Sequence, residues 1–521
     1  MCGIAGVVGP GASERVVLEL LAPIRHRGEP SGLGERWTSA DAAIGTNRLK
    51  IVAPERGRQP HVSSCDAVAA VVNGEIYNYR ELAPACGLPP ECSDSEVVLA
   101  GYLRHGSRWF EALRGMFALA VVDRRGARPA WWLARDPLGV KPLYVARRGA
   151  DVMFASELKS FHSFADVTEI EEVAAGSVRS RAGERSYWRV PELGTHATSD
   201  DEHGPIVADA LTAAVASHLP DDATPVACLL SGGVDSSVVC ALATRLHRGP
   251  VEAWTFASPA GGSSDLEAAG VVCGALGIPL HTVRPSADEL TAAYLQSGVW
   301  MVETWEPALV RNAVSYHFLC RAVAAAGHKL CLSGEGADEI FGGYGYLDRL
   351  DADTREAMIR ASVIELPRTY LQMADRAAMA ATLEVRVPYM DAAFVERSLA
   401  LPARARRRDG DDKVALRRAF PSLLPREILA RRKLGMNPGA GFGSNDPGQG
   451  MFHACIAELY RARPPLERRD RERVHALAPA FGVDTDDAEQ LWNFARFTEA
   501  GFHRLLGSHR RPQLNTTTLV R

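Results

Sequence analysis

The sequence predicts a chain of two domains: a sheet-dominated α+β domain, followed by a doubly wound α/β domain with a helical C-terminal part. Three observations carry this prediction: the length, the turn residues of the first 190 positions, and a change of pattern after a polar segment. The 521 residues exceed one ordinary domain of about 150 residues and can bury several cores. The hydrophobic fraction of 46% and the charged fraction of 23% are typical of a folded globular chain.

Residues 1–190 contain short apolar runs bounded by Gly, Asn-Gly and Asp-Pro. Such runs predict short strands, with helices between them at 13–21 and 93–104. Residues 191–204 are polar, contain Gly and Pro, show no apolar period, and are the predicted linker. The predicted strands are 2–8, 68–72, 117–123, 130–134 and 143–145.

From residue 205 to 509, helical patterns alternate with short apolar runs at 226–230, 251–257 and 329–332. Short, mostly apolar runs are typical of buried parallel strands. Because each run is followed by a helical pattern, we expect a doubly wound sheet. The polar residues 510–521 are expected to be a frayed tail.

Charge and apolar pattern argue against several functions. A net charge of -4 does not favour nucleic acid or an anionic membrane as a partner. The sequence has no uncharged apolar run of 18 residues and no basic segment before Arg15, so we expect neither a membrane span nor a secretory signal. The ten cysteines form no Cys-x-x-Cys pair, which predicts a cytoplasmic protein without structural zinc.

Cys2 is a candidate amino-terminal nucleophile. It follows Met1, and removal of that methionine would give Cys2 both a thiol and a free α-amine. An α-amine with a pKa of about 8 is partly neutral at pH 7 and can accept the thiol proton. A buried cysteine on the first strand is the alternative interpretation.

Polar residues further along could serve this nucleophile. Asn73 and Gly74 follow a predicted strand, where an amide side chain and backbone N–H groups could hold an oxyanion. Arg48 could bind a carboxylate, and Glu75 or Asp94 could bind an ammonium group. A hairpin turn is the alternative interpretation of the Asn-Gly pair.

The order of these residues resembles that of class II glutamine amidotransferases. The matching segments are 2–6 (CGIAG), 27–28, 48–49, 73–78 (NGEIYN) and 135–144 (RDPLGVKPLY). The resemblance implies an Ntn-type α-β-β-α sandwich in which Cys2 attacks glutamine and Asn73 and Gly74 form the oxyanion hole. Residues 27–30 read Arg-Gly-Glu-Pro where the family usually has Arg-Gly-Pro-Asp. The implied glutamine pocket consists of Arg48, Ile51, Val52, Asn73, Gly74, Glu75 and Asp94.

A candidate anion site follows the run 226–230, where residues 231–237 (SGGVDSS) precede a helical pattern. Backbone N–H groups of a Gly-rich turn and a helix N-terminus bind phosphate oxygens, although a Ser-capped turn is the alternative interpretation. Residues 332–344 (LSGEGADEIFGGY) form a second such turn after a strand. Parallel strands would bring Asp235 and Asp338 to one edge, where two carboxylates could hold Mg²⁺ on a pyrophosphate.

Together, the two motifs resemble the asparagine synthetase family, whose synthetase half belongs to the ATP pyrophosphatases. The resemblance covers about residues 1–440 and implies that ATP activates a carboxylate as its adenylate, releasing pyrophosphate. Ammonia from the first domain would then attack the adenylate and release AMP, with aspartate as the default acceptor. The implied ATP and pyrophosphate contacts are Leu230, Ser231, Gly232, Gly233, Val234, Asp235, Ser236, Phe256, Ser333, Gly334 and Glu335.

The resemblance continues through residues 376–379, 383–391 and 412–417. It implies that Lys413 neutralises charge on the phosphates and that Glu384, a second catalytic residue, shapes the acceptor pocket with Arg386. Ordinary ion pairs on a surface helix are the alternative interpretation.

The implied cofactors are ATP and Mg²⁺, and the partners are glutamine, a small carboxylate acceptor and, in a homodimer, a second copy of the chain. Three other functions stay open. The chain could be a diverged paralogue that amidates another carboxylate, a ring-closing lactam or macrolactam synthetase, or a catalytically silent nucleotide-binding protein or scaffold.

Overall fold

The computed structural model describes residues 2–29, 34–194, 196, 198–442 and 468–505. Within them the chain divides into two compact units. The first unit contains residues 2–189 together with 477–482 and 496–505. The second contains residues 190–442, 468–476 and 483–495. The C-terminal segments 477–482 and 496–505, which the sequence assigned to the second domain, thus belong to the first unit, and the predicted tail at 510–521 lies outside the described residues.

The strands of the first unit are β1 (Cys2–Val8), β2 (Glu35–Thr38), β3 (Ala42–Arg48), β4 (His61–Val62), β5 (Val68–Ile76), β6 (Gly115–Asp123), β7 (Ala130–Arg135), β8 (Tyr144–Arg148), β9 (Asp151–Ala155), β10 (Ile170–Glu172), β11 (Ser177–Ser180) and β12 (Gly183–Ser186). The strands of the second unit are β13 (Val226–Leu229), β14 (Val251–Phe256), β15 (Leu280–Val283), β16 (Leu330–Leu332) and β17 (Glu384–Arg386).

The helices are α1 (Glu14–Leu21), α2 (Tyr79–Cys86), α3 (Glu96–His105), α4 (Asp200–His218), α5 (Val234–Leu246), α6 (Ser264–Leu276), α7 (Ala287–Ala293), α8 (Val299–Val302), α9 (Pro307–Ala325), α10 (Ala337–Phe341), α11 (Ala352–Glu365), α12 (Tyr370–Met379), α13 (Ala392–Leu399), α14 (Ala403–Arg406), α15 (Val414–Ala419), α16 (Arg426–Leu429), α17 (Met436–Gly439), α18 (Arg468–Phe481) and α19 (Ala488–Glu499).

The first unit is a sandwich of two six-stranded antiparallel sheets, in the orders β10-β8-β9-β1-β3-β2 and β12-β11-β7-β6-β5-β4. Strand β5 shows why its sequence is almost continuously apolar. Ala69 and Val71 face the core between the sheets, whereas Val68, Ala70 and Val72 face the core under α2 and α3. Helix α1 covers the other sheet. The predicted α-β-β-α sandwich is therefore confirmed.

The C-terminal segment of the first unit is fastened by main-chain hydrogen bonds. Arg504 Nη1 donates to the carbonyl oxygens of Phe164 and Val167, at 2.7 and 2.8 Å. Leu505 forms a parallel bridge with Ile170 of β10. These long-range contacts leave no pattern in the sequence, so the sequence alone does not place the segment with the first unit.

The second unit contains a five-stranded parallel sheet in the order β15-β14-β13-β16-β17. The chain builds outwards from β13 to β15 and then returns to the other side of β13, which is the doubly wound order that the sequence predicts. The switch of direction lies between β13 and β16, the position where sheets of this kind bind ligands.

Helix α4 begins at Asp200, inside the segment that the sequence assigned to the linker at 191–204. Ser199 and Glu202 form a capping box, in which the Ser199 N–H donates to Glu202 Oε2 at 2.7 Å. The Ser-x-x-Glu spacing is the sequence signal for this start. The stretch without regular structure is therefore shorter than predicted.

Candidate active sites

Cys2 is the first residue of β1, and its side chain is only 5% exposed. Its partner in β3 is Arg48, so strand register alone brings these two predicted site residues together. The backbone nitrogen of Cys2 donates a hydrogen bond to Asn73 Oδ1 over 3.1 Å. The register between β1 and β3 and this hydrogen bond therefore gather three candidate residues that lie up to 71 positions apart.

Asn73 offers one more polar atom to a ligand. Its Nδ2 is buried and has no hydrogen-bond partner among the described residues. The next residue, Gly74, has a φ of +130° and lies against β6, where a Cβ would stand 1.9 Å from the Met116 carbonyl oxygen. Because only glycine fits there, β5 can approach β6 this closely directly after Asn73, whose side chain contacts the Cys2 backbone. The arrangement is suited to holding an oxyanion.

The Cys2 thiol lies in an environment that disfavours the thiolate. Burial raises the pKa of Cys2 above its ordinary value, whereas the Leu49 backbone and the charge of Arg48 act in the opposite direction. The thiol is therefore protonated near pH 7 and needs a base to become a nucleophile.

Arg27 holds the backbone of the candidate nucleophile. Its Nε donates to the carbonyl oxygen of Cys2 at 3.1 Å, and its Nη1 contacts Glu157 Oε1 at 2.6 Å. Glu157 also pairs with Lys159 and, at 3.3 Å, with His26 Nε2. The sequence motif includes Arg27, but Glu157 and Lys159 were missed because they lie 130 or more positions away.

The departure at residues 27–30 includes Glu29, whose backbone N–H donates to the Arg48 carbonyl oxygen at 2.9 Å. Glu29 Oε1 also accepts a bond of 3.3 Å from the Lys50 N–H. The altered loop is thus joined to the strand that carries Arg48. Pro30 lies outside the described residues.

The remaining predicted glutamine-binding residues lie on β5, in the loop after β3 and in the loop before α3. Asp94 is buried and accepts a hydrogen bond of 3.0 Å from the Ile76 N–H, and Glu75 is also buried. Arg48 Nη1 donates to the Pro54 carbonyl oxygen at 2.9 Å. Ile51 and Val52 are half-buried in the loop after β3, and Val52 packs against the core under α2 and α3.

In the second unit, the two Gly-rich motifs follow the adjacent strands β13 and β16. Their backbones touch: a Cβ on Gly334 would lie 2.7 Å from the Ser236 nitrogen. Only glycine allows this approach, and the structure thereby places 231–236 and 333–338 at one carboxyl edge. Asp235 and Asp338, predicted to meet there, both contact Lys413.

Hydrogen bonds from its backbone to its own serine side chains fix the conformation of the loop from Ser231 to Ser236. Ser236 Oγ accepts a bond of 3.2 Å from the Ser231 N–H, and Ser231 Oγ accepts one of 3.3 Å from the Gly233 N–H. Gly232 has a φ of +71°, and α5 begins at Val234, so the loop ends at a helix N-terminus. Leu230, Phe256 and Ser333 complete this edge: all three are buried at the ends of β13, β14 and β16.

Charges of both signs are packed at this edge. Lys413 Nζ lies 2.5 Å from Asp235 Oδ2 and 2.5 Å from Asp338 Oδ1, and Lys433 Nζ lies 2.7 Å from Asp338 Oδ2. Burial lowers the pKa of Lys413, but the two carboxylates outweigh it, and the net shift is upward. Both lysines therefore stay cationic and face the loop that would carry phosphates.

Glu335 lies among these charges and titrates near neutrality. Burial raises its pKa to about 7, with Asp338 and Asp235 acting in the same direction and Lys433 against them. A carboxyl group with this pKa can take or give a proton at pH 7. The sequence predicted Glu335 only as a nucleotide contact.

Glu384, predicted as a catalytic residue, has a different placement from the other candidates. It is the first residue of β17 and pairs in register with Leu330, the first residue of β16, so it lies at the amino ends of these strands. Its Oε1 accepts a bond of 2.6 Å from Arg386 Nε, and Glu384 is 0% exposed. The structure does not bring Glu384 to the carboxyl edge with Asp235 and Lys413.

Two cations at the loop were not predicted from the sequence. Arg431 Nη1 donates to the Ser231 carbonyl oxygen at 3.1 Å, and Lys433 pairs with Asp338. In the sequence these two residues belong to the basic run 431–433, which follows α16. A short basic run is common on surfaces, which is why it carried no prediction.

Two family models match this architecture. A glutamine amidotransferase domain matches residues 1–182, and an asparagine synthase model matches residues 206–366 and 351–506. Fold and sites therefore define an amidotransferase ligase, which makes an amide at the expense of glutamine and ATP, as the sequence predicts. Among the described residues, no helix is long and apolar enough to cross a membrane.

Similar curated proteins share both halves of the chain. The glutamine-hydrolysing asparagine synthetase of Asparagus officinalis is 32% identical over 477 residues, covering 85% of this chain and 78% of that protein. Asparagine synthetase B of Escherichia coli (strain K12) is 32% identical over 471 residues, covering 85% and 83%. The enzyme of Sandersonia aurantiaca is 32% identical over 475 residues, covering 85% and 87%. This chain belongs to the family of glutamine-hydrolysing asparagine synthetases.

Proposed function

We propose that this protein transfers ammonia from glutamine, released at Cys2, to an acyl-adenylate formed at the carboxyl edge of the parallel sheet. One observation carries the first half: the Cys2 nitrogen is hydrogen-bonded to an asparagine whose own amide nitrogen is buried and free of partners within the described chain. The second half is supported by two phosphate-binding turns that meet beside Lys413 and Lys433.

In the first unit, the α-amine of the processed Cys2 accepts the thiol proton, because burial keeps that thiol protonated otherwise. The sulfur adds to the side-chain amide carbon of glutamine, and Asn73 Nδ2 with the Gly74 N–H would hold the resulting oxyanion. The proton returns to the leaving nitrogen, ammonia departs, and water hydrolyses the thioester to glutamate. Arg48 and Asp94 would bind the α-carboxylate and the α-ammonium of the substrate.

In the second unit, the loop from Ser231 to Ser236 would bind the pyrophosphate of ATP at the N-terminus of α5. Lys413 and Lys433 would balance the charge that develops as the acceptor carboxylate attacks the α-phosphate. We assign the proton transfer from the attacking ammonia to Glu335, whose pKa of about 7 suits a general base. Glu384 would instead orient Arg386 from the amino end of β17.

Mg²⁺ fits one of the two predicted ligands better than the other. Asp235 Oδ1 and Asp338 Oδ1 are both buried without a hydrogen-bond partner in the described part of the chain. Asp338 Oδ1, however, lies 2.5 Å from Lys413 Nζ and Asp338 Oδ2 lies 2.7 Å from Lys433 Nζ, so each oxygen of Asp338 has a lysine beside it. No group of three His, Cys, Asp or Glu side chains that could hold a metal is found within the described ranges. That is usual for Mg²⁺, which binds one or two carboxylates together with phosphates and water. The ion would neutralise phosphate charge beside Asp235.

The acceptor is proposed to be aspartate and the product asparagine, because the similar curated proteins are asparagine synthetases. A cytoplasmic location is supported by the nine cysteines of the described residues, all of which are free. The homodimer stays a prediction that sedimentation analysis would test.

The test is a product analysis with a panel of carboxylic acids. The protein is incubated with ATP, Mg²⁺, glutamine and one acid at a time, and nucleotides, pyrophosphate and amide are quantified. We expect AMP, pyrophosphate and asparagine in equal amounts when aspartate is present. Amide formation with another acid alone would assign the protein to the paralogue that amidates a different carboxylate. Formation of ADP and phosphate would contradict the adenylate.

A further inference from the structure

A chain of hydrogen bonds runs from the edge strand β4 to the predicted ammonium-binding carboxylate. His61 Nε2 lies 2.9 Å from Ser95 Oγ, and Ser95 Oγ lies 3.2 Å from Ser93 Oγ. Ser93 Oγ in turn donates to Asp94 Oδ1 over 3.2 Å. The three residues from Ser93 to Ser95 are all at least nine-tenths buried, so water does not compete for these bonds.

The direction of this chain follows from proton counting. Asp94, as a carboxylate, can only accept, and each serine hydroxyl has one proton to donate. Since the Ser93 proton goes to Asp94, Ser95 must donate to Ser93. The Ser95 oxygen must then accept from His61, whose Nε2 therefore carries a proton. Every hydroxyl in the chain points towards the carboxylate.

The ring of His61 is also kept neutral. Burial and then the positive charge of Arg48 lower its pKa to about 4. A neutral imidazole can donate a hydrogen bond through Nε2 without adding a second cation beside Arg48. In the proposed pocket, Arg48 binds the substrate carboxylate. The neutral ring therefore leaves Arg48 as the cation for the substrate carboxylate, with Asp94 as the carboxylate for its α-ammonium group.

We propose that His61 is a positioning residue that orients the Asp94 carboxylate, through two serine hydroxyls, for the α-ammonium group of glutamine. The inference rests on the proposed glutaminase function. The other oxygen of Asp94 accepts from the Ile76 N–H at 3.0 Å, so the carboxylate is held from two sides. A carboxylate that is fixed in this way binds an ammonium group with less loss of side-chain freedom.

The test compares two substrates in four variants. His61→Leu and Ser95→Ala break the chain, whereas His61→Gln and Ser95→Thr keep an N–H donor or a hydroxyl. Glutamine hydrolysis is followed by release of ammonia. Glutaramate, which is glutamine without its α-amino group, is the second substrate. Val62→Ala, on the same strand and 40% exposed, is the matched control.

We expect the two breaking variants to raise KM for glutamine about tenfold, with kcat within about twofold of the wild type. The two conservative variants should stay near the wild-type KM. With glutaramate, kcat/KM should be the same in all variants, because there is no ammonium group for Asp94 to bind. A general destabilisation of the fold would lower kcat/KM for both substrates together.

An unchanged KM for glutamine in His61→Leu and Ser95→Ala would overturn the proposal, as would equal losses with glutaramate. Folding of the first unit is checked by glutaramate hydrolysis, and folding of the second by ammonia-dependent amide synthesis, which the proposed function assigns to the second unit. If the wild-type protein itself releases no ammonia from glutamine, then the proposed function fails and not the assignment of His61.

Discussion

The two candidate sites of this protein are built by different physical means. Around Cys2, the reacting groups are neutral, and strand register and hydrogen bonds such as that from the Cys2 nitrogen to Asn73 position them. Around Asp235, position is set by charge, with Lys413 between Asp235 and Asp338 and Lys433 on the other oxygen of Asp338. Hydrogen-bond donors position the groups of the first site, and alternating positive and negative charges position those of the second.

The difference matches the charge that each reaction develops. Hydrolysis of an amide creates one oxyanion from neutral reactants, and two well-placed N–H donors can stabilise it. Adenylation moves a polyanionic leaving group, which needs cations as well as backbone donors. We therefore expect substitutions at the first site to act by removing or displacing reacting groups and hydrogen-bond donors. Substitutions at the second site should act by disturbing the balance of charges.

The largest effect is expected from Cys2→Ala. Removing the sulfur takes away the nucleophile, so glutamine-dependent synthesis should fall by at least about 10³-fold. Ammonia-dependent synthesis should stay near the wild-type rate, because the charged site is untouched. The measurement is amide formation with glutamine or with ammonium chloride as nitrogen source.

Cys92→Ala is the matched control, since that thiol is also buried in the first unit. If Cys2→Ala keeps its activity with glutamine, the nucleophile lies elsewhere. If it loses activity with both nitrogen sources, then the two sites are not separable in the way that the comparison requires.

The contrast also explains how much could be predicted from the sequence. Cys2, Asn73, Gly74, and the turn from Ser231 to Ser236 lie in short contiguous motifs whose glycines and strand ends are visible in the sequence. The sheet-dominated first domain and the doubly wound second domain followed from apolar runs, because buried strands are almost entirely apolar. The α-β-β-α arrangement of the first domain came from the resemblance to class II glutamine amidotransferases.

Several residues that act through long-range contacts could not be predicted. Lys433, Glu157 and His61 act through contacts with residues 95, 130 and 34 positions away, to Asp338, Arg27 and Ser95. A single lysine or glutamate has no local signature, since ion pairs are set by tertiary packing. Glu384 shows the converse: its motif suggested catalysis, but its strand register places it at the amino end of β17.

The second prediction removes the central cation of the charged site. Lys413→Met leaves Asp235 and Asp338 without the ammonium group between them, so both adenylation and pyrophosphate release should suffer. We expect synthesis to fall about 10²- to 10³-fold with either nitrogen source, while glutamine hydrolysis by the first unit continues. The measurement is pyrophosphate release with aspartate and ATP.

Lys413→Arg is the control, because it keeps the charge but not the shape. This variant should recover part of the activity if the charge of the side chain matters more than its shape. Equal losses in both variants would show that the position of the nitrogen atom matters more than its charge. Glutamine hydrolysis in the same samples reports whether the protein is folded.

The smallest effect concerns stability and pH. Glu335 has a pKa of about 7 in the folded protein against an ordinary value of 4.5, so the folded state binds more protons than the unfolded state between these values. The free energy of unfolding therefore falls as pH rises through this window. Glu335→Gln stays neutral, so its stability should depend less on pH between 5 and 7.

At pH 8 the Glu335→Gln variant should be more stable than the wild type by about 1 to 2 kcal/mol, the full shift being reduced because the side chain is only partly buried. Urea unfolding at four pH values measures this, with the exposed Glu427→Gln as control. Loss of stability at pH 8 would mean that the carboxylate of Glu335 is stabilised by Lys433 more than burial disfavours it. The charged site would then be balanced around three carboxylates and two lysines, and a base other than Glu335 would have to take the proton from ammonia.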